Sequence, residues 1–216
     1  MRVCCLSDLH GNLIDVPECD LLILAGDLCR NHRDYFWYNT VLKPWIDETA
    51  KICKIVGVAG NHDFIFQFAP HLIPQMEWVY LQDSGIEWNG LKIWGSPWQL
   101  RFFDWAFNLD EEDLKKRWDM IPDDTNILVL HGPPYGYGDK TPERPSGYGE
   151  EVIKSEHVGS PSLTDRIESL KCLKLAVAGH IHNGYGIYKI KDTTFVNASL
   201  VNERYMPVNN PIVIDI

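Results

Sequence analysis

The sequence predicts a mixed α/β (α+β) fold, and three observations carry that prediction. Continuous apolar runs of strand length, such as Asp20 to Ala25, read as strands buried on both faces. Between two of them lies a stretch of helical spacing, Arg33 to Lys51. Farther on, short strands flank Asn89-Gly90, a pair suited to the positive φ angles of a type I′ hairpin turn. Strands alternating with a helix argue for a parallel sheet, and the hairpin for an antiparallel part beside it.

Met1 to Leu6 reads as the first strand and runs into Ser7-Asp8-Leu9-His10. Asp8 and His10 sit two apart where strand gives way to loop, so both side chains can turn toward one point. A carboxylate and an imidazole converging at the carboxyl end of a strand can begin a metal site. The second strand, Asp20 to Ala25, stops at Gly26-Asp27. In the helical stretch, Tyr35, Tyr38, Val41, Leu42, Trp45 and Ile46 form a stripe expected to pack in the core. Pro44 should kink or divide that helix, having no N–H to give. Ile52 to Ala59 is a third strand and finishes in Gly60-Asn61-His62-Asp63.

From Trp78 the texture changes. Val79 to Leu81, Gly85 to Trp88 and Leu91 to Trp94 are expected to form an antiparallel meander. Gly95 to Asn108 is a long aromatic loop with Trp98, Phe102, Phe103, Trp105 and Phe107, expected to plug the core first and to roof a site second. Asp110 to Met120 reads as a helix with acidic residues in its first turn, the end that favours anions. Asn126 to Leu130 is a buried strand ending in His131-Gly132-Pro133-Pro134, and Tyr135 to Gly149 is an extended loop. Ser160 caps a helix with Pro161 in its first turn. Leu173 to Ala178 ends in Gly179-His180-Ile181-His182, and Gly186 to Ile190, Thr193 to Asn197 and Ile212 to Ile216 close the chain as strands. Without repeat or linker, residues 1–216 are expected to form one domain.

Bulk properties narrow the function. A chain of 216 residues, 45% hydrophobic, can bury a substantial core. No run approaches the roughly 20 apolar residues of a membrane span. The Asp8 motif begins before a leader's apolar region could form, so no signal peptide is expected. A net charge of −10 disfavours nucleic-acid backbone and anionic membrane as partners. It leaves open a phosphate substrate, because bound cations invert the local field. The six cysteines form no Cys-x-x-Cys pair and read as reduced core residues of a cytoplasmic protein. Cys29, two residues after Asp27, reads as apolar filler.

Five clusters thus follow five apolar runs, and five of the eight histidines lie in them. A mixture of carboxylate, amide oxygen and imidazole, without thiolate, suits Mn²⁺, Fe, Zn²⁺ or Ni²⁺. Seven such groups are too many for one small ion with a water, and suit two ions bridged by a carboxylate. His32, His71 and His157 fall outside the clusters; His32, near Asp27 in sequence, reads first as a surface-loop residue and second as a substrate contact, and Arg33, Tyr135 and Tyr137 are open as substrate contacts that no spacing fixes.

In their order, Asp8-x-His10, Gly26-Asp27, Gly60-Asn61-His62-Asp63, His131 and Gly179-His180-x-His182 resemble the motifs of the calcineurin-like metallophosphoesterases, without a substitution. The resemblance spans essentially the whole chain. Gly95-Ser96-Pro97-Trp98, His131-Gly132-Pro133-Pro134 with Gly136-Tyr137-Gly138-Asp139, Gly184-Tyr185-Gly186, Asn197-Ala198-Ser199 and Asn210-Pro211-Ile212-Val213 look similar to the metallophosphoesterase-domain-containing subgroup of class III phosphodiesterases. The resemblance implies a four-layer αββα sandwich with two divalent metal ions at the strand ends, Mn²⁺ expected first. It implies that Asp8, His10 and His182 hold one ion, that Asn61, His131 and His180 hold the other, and that Asp27 bridges them. It implies that His62, with Asn61, binds the phosphate and that His62 serves the leaving oxygen, with Asp63 orienting it. The expected reaction is hydrolysis of a small, cyclic-nucleotide-like phosphodiester by a hydroxide between the two ions. A phosphomonoesterase or protein phosphatase using the same site is the alternative, and a metal-binding scaffold with little turnover the third.

Overall fold

The computed structural model describes residues 1–30, 34–145 and 152–216. The strands in chain order are β1 (Arg2–Leu6), β2 (Leu21–Ala25), β3 (Lys54–Val58), β4 (Val79–Tyr80), β5 (Ser84–Trp88), β6 (Leu91–Ser96), β7 (Gln99–Leu100), β8 (Asn108–Leu109), β9 (Ile127–Leu130), β10 (Arg144–Pro145), β11 (Val152–Ile153), β12 (Leu175–Ala178), β13 (Gly186–Ile190), β14 (Thr193–Asn197) and β15 (Ile212–Asp215). The α-helices are α1 (Tyr35–Trp37), α2 (Lys43–Thr49), α3 (Phe64–Phe68), α4 (Glu111–Trp118) and α5 (Pro161–Ser169).

Two sheets dominate. One has the order β15-β1-β2-β3-β4, with β1 to β4 parallel and β15 antiparallel at the edge. The other has the order β13-β14-β12-β9-β6-β5, with a parallel centre and antiparallel edge strands. Alternate residues of the first sheet (Val3, Cys5, Ile23, Val56) meet alternate residues of the second (Ile93, Val129, Val177, Val196) in one buried layer. The opposite faces, with Leu22 and Leu24 on one sheet and Leu128 and Ala176 on the other, pack in a core that includes Tyr38, Leu42, Leu114, Trp118, Leu163 and Ile167 from the helical stretches. The result is the expected four-layer αββα arrangement. Apolar runs without alternation follow from it, since a central strand has a covered side chain on each face.

Where sequence and structure differ, the cause is local. The stretch ahead of Pro44 widens into a π-helical turn at Tyr38–Leu42, and α2 starts with the proline in its first turn. Pro44 has no N–H for the ladder, so it fits at a start and not inside. Arg33 and His32 lie outside the described residues, as does part of the loop after Tyr135. Val79–Tyr80 does not join a meander: it pairs in parallel with β3 in the first sheet. The hairpin β5–β6 is present, and Asn89 (φ 48°) and Gly90 (φ 72°) take the expected turn geometry. The aromatic loop divides its residues. Trp98 and Phe107 are buried and meet edge to face, while Phe102 and Phe103 are exposed. Ser160 caps α5 by accepting from the Leu163 N–H. No helix among the described residues is long and apolar enough to cross a membrane.

Candidate metal centre

The parallel strands β1, β2, β3, β9 and β12 all end on one rim, and the loops that leave them carry the polar clusters. Beyond the rim the two sheets are clasped. The Ser7 N–H donates to Ala198 O (2.9 Å), and the Leu200 N–H donates to Ser7 O (2.8 Å). This clasp sets Asp8 beside the loop that follows β12: the His180 N–H donates to both Asp8 oxygens (3.2 and 3.0 Å). Ser199 Oγ–H also donates to Asp8 Oδ2 (2.7 Å). Asp8, His10, Asp27 and His180 all sit at positive φ (53°, 43°, 53° and 67°), a region costly for residues with a Cβ. Two glycines are there because nothing larger fits. A Cβ on Gly60 would overlap Asp27 Oδ1, and one on Gly179 would overlap Asp8 Oδ2.

Two cages of donors result. In the first, His10 Nε2 and His182 Nε2 are 3.3 Å apart, and His182 Nε2 is 3.4 Å from Asp8 Oδ1. In the second, Asn61 Oδ1 is 2.9 Å from His131 Nε2 and 2.8 Å from His180 Nδ1. Asp27 stands between them, its Oδ2 lying 3.6 Å from His10 Nε2 and 3.5 Å from His131 Nε2. These separations fit the edges of a coordination shell. Two donors about 2.1 Å from one ion lie about 3.0 Å apart in an octahedron and about 3.4 Å apart in a tetrahedron. Two imidazole nitrogens facing each other need either a proton or a cation between them. Donor atoms of Asp8, His10 and His182, and of Asp8, Asp27 and His131, fall within 4.8 Å of one another.

The surroundings orient the rings. His131 Nδ1–H donates to Ala25 O (2.9 Å) and His182 Nδ1–H to Asn202 O (3.1 Å), so Nε2 is the atom each ring turns to the centre. Burial opposes charge on Asp8, but the hydrogen bond and field of His182, with the field of His131, outweigh it and hold the carboxyl below the usual range. Burial opposes charge on Asp27 likewise, and His131, His62 and His10 still hold it well below that range. Burial lowers His10 to about 4 and His180 to about 3, so both offer free lone pairs at neutral pH. Burial also works against protonation of His131 and His182, yet Asp27 lifts the first to about 9 and Asp8 raises the second. His131 and His182 would have to give up those protons to ligate a cation.

This convergence, in order along the chain, is reflected in a family match: the sequence profile of the calcineurin-like phosphoesterases covers residues 1–184. The chain belongs to the calcineurin-like phosphoesterase family. As a member it is a phosphoesterase, a hydrolase of phosphoric ester bonds, and its buried rim carries candidate ligands for the family's divalent metals. Metallophosphoesterase domain-containing protein 1 of Homo sapiens, like that of Mus musculus, is 35% identical over 245 residues, covering 100% of this chain and 71% of the relative. A UPF0046 protein of Caenorhabditis elegans is 27% identical over 255 residues, covering 100% of this chain and 60% of that protein. A solved structure of a putative 5′-nucleotidase from Staphylococcus aureus shares the fold. Its TM-score is 0.54 at 12% identity, with 91% of this chain and 48% of that one covered.

The structure brings Asp8, His10, Asp27, Asn61, His131, His180 and His182 together at the rim. His62 joins them: its backbone N–H donates to Asp27 Oδ1 (2.7 Å), and its ring stands edge-on to His10 at 4.6 Å. Asp63 is the correction. Its buried carboxylate does not bond the His62 ring. It accepts from the N–H groups of Leu28, Cys29 and Gly60 and from the Tyr38 hydroxyl. Asp63 therefore ties the loop bearing Asp27 to the loop bearing Asn61 and His62. Cys29 is buried and donates its N–H to Asp63. Trp98 is a core residue, its Nε1–H donating to Asp83 Oδ2 (2.8 Å). Tyr135 is exposed and packs beside His157 (5.4 Å), and Tyr137 is partly buried against the core.

Three neighbours carry no motif that points to them. Trp105 stacks on the His62 ring at 4.3 Å, Tyr205 meets His10, His182 and His62, and Asn202 lends its carbonyl to His182. The aromatic loop hinted at Trp105. Tyr205 and Asn202 lie on a short turn with no local signal.

Proposed function

We propose that the protein is a metal-dependent phosphodiesterase acting on a small, cyclic-nucleotide-like phosphodiester, with Mn²⁺ the first native ion to test. One observation carries the reading: a single oxygen of Asp27 lies 3.6 Å from His10 and 3.5 Å from His131, midway between two donor cages. Two divalent ions bound there would supply a water of lowered pKa and neutralise phosphoryl charge.

The chain's own groups do the rest. Asp8, His10 and His182 would hold one ion and Asn61, His131 and His180 the other, with Asp27 placed within reach of both. Asp8 and Asp27 stay anionic at neutral pH and so attract the cations that a phosphoester needs beside it. The His62 ring, facing His10 and backed by Trp105, donates a proton to the departing ester oxygen. Trp105 and Tyr205 border the donors and can contact the ester's organic groups. A small substrate matches the net charge of −10, which repels long polyanions.

The test is hydrolysis of bis-p-nitrophenyl phosphate and p-nitrophenyl phosphate by one preparation in Mn²⁺. Faster turnover of the diester, lost on chelation and in Asp27→Ala, is expected. Faster turnover of the monoester would replace this reading with a phosphomonoesterase. Protein that holds two ions yet turns over neither would make the site a binding scaffold.

A further inference from the structure

The imidazoles of the first cage are not supported alike. His182 is pinned through Nδ1 by the Asn202 carbonyl. His10 Nδ1 is buried and has no hydrogen-bond partner among the described residues. Its orientation rests on ring contacts: His62 at 4.6 Å and 87°, Tyr205 at 4.7 Å and 84°, and His182 at 5.2 Å and 71°. Of these, Tyr205 is the one ring that belongs to neither the donor set nor the proposed acid.

Tyr205 is costly where it stands. Its φ is +59°, a region that favours glycine or asparagine over a bulky side chain. It is 43% exposed, so its ring adds little to the core. The turn does not need that ring. The Tyr205 N–H donates to Asn202 O (2.8 Å), and the Asn202 N–H donates to Met206 O (3.0 Å). Asn202 Oδ1 accepts from the N–H groups of Arg204 and Met206 (2.9 and 3.2 Å). A strained, half-exposed tyrosine on a turn that is already bonded points to what its ring touches. That same turn supplies the carbonyl that holds His182, so it governs both imidazoles of the first cage.

We propose that Tyr205 is a positioning residue for His10 and, through His10, for one of the two cations. The proposal rests on the two-cation reading above. Without the ring, His10 turns about its side-chain bonds and its Nε2 leaves the 3.3 Å approach to His182 Nε2. The hydroxyl has no part in this, so phenylalanine serves as well as tyrosine.

The test is calorimetric titration of metal-stripped protein with Mn²⁺, together with thermal unfolding of the stripped protein, for wild type, Tyr205→Phe and Tyr205→Gly. Wild type and Tyr205→Phe are expected to bind two ions with affinities within about twofold of each other's, site by site. Tyr205→Gly should bind one ion as wild type does and the other about 10–100-fold more weakly, the usual loss when a ligand's support is removed. Its metal-free Tm should stay within about 4 °C of wild type, because relief of the positive φ opposes the lost ring contacts and glycine's freer unfolded chain. Two wild-type affinities in Tyr205→Gly would overturn the proposal. So would a loss in Tyr205→Phe equal to that in Tyr205→Gly, or a metal-free Tm lowered by more than about 4 °C accompanying the loss in Tyr205→Gly. Wild-type protein that takes up fewer than two ions would instead remove the two-cation reading on which this rests.

Discussion

Replacing Asp63 by asparagine tests whether the last residue of Gly60-Asn61-His62-Asp63 serves the backbone or the His62 ring. Asp63 Oδ1 accepts from Leu28 N–H, Cys29 N–H and Tyr38 O–H (3.1, 3.1 and 2.8 Å), and Oδ2 accepts from Gly60 N–H at 2.9 Å and shares the Leu28 N–H at 3.1 Å. An amide can keep the first three by presenting its oxygen there. Its NH₂ then faces the Gly60 N–H. One charge-assisted bond is lost, worth about 1.5–3 kcal/mol, and a buried N–H is left unsatisfied at about 1–3 kcal/mol. Part of this returns. Burial and the charge of Asp27 raise the Asp63 pKa, so its ionised form is itself disfavoured, and the amide avoids that. A net loss of about 2–4 kcal/mol should lower Tm by roughly 5–15 °C in a chain this long. The assay pairs thermal unfolding with turnover of bis-p-nitrophenyl phosphate at a temperature where the variant is folded. The folded variant should keep much of its rate, because no reacting atom has been removed. A Tm within about 2 °C of wild type with a rate down about 100-fold, the scale of a lost acid–base contribution, would refute the reasoning and restore Asp63 as the orienter of His62.

His62→Ala should slow esters with poor leaving groups by about 100-fold or more and p-nitrophenyl esters far less, since a good leaving group needs no proton; equal effects on both would remove its acid role. Gly179→Ala should abolish binding of the cation nearer Asp8, because the new Cβ takes space held by Asp8 Oδ2 and Ser7 Oγ; direct metal analysis checks it, and full occupancy would contradict it. The Tm of metal-free protein should peak near about pH 6.5, the ordinary histidine value. Below that pH the unfolded chain takes up protons that His10 (about 4) and His180 (about 3) refuse, and stability falls. Above it, stability held by His131 is lost as the pH rises to about 9, and a Tm climbing steadily from acid to alkali would contradict this. Chelation of protein loaded at about 100 times the dissociation constant should remove about 2.7 kcal/mol per site. A Tm unchanged by chelator would mean that the native state binds no ion.

What was legible in the sequence is what a cation touches. An ion demands carboxylate, amide or imidazole, and few residue types supply them, so Asp8-x-His10 or Gly179-His180-x-His182 stands out directly after an apolar strand. The strand and its cluster are neighbours in sequence, and both can be read locally. The support around them is not local. Asp63 looks like a partner for the adjacent His62, yet its acceptors face Leu28 and Cys29, 35 and 34 residues away. Ser199 reaches Asp8 across 191 residues. Strand Val79–Tyr80 has only two residues, too few for its own pattern to choose between sheets, and its pairing with β3 decides. Distance is only half the reason. The group that sets the His182 tautomer is the backbone oxygen of Asn202, and every residue type has one. A ring against His10 could come from several aromatic residues, and nothing in the chain around Tyr205 marks it as the one that makes that contact. Donors to a metal are therefore written in side-chain chemistry, while the parts that aim them are written in backbone geometry, and only the first has a one-letter signature.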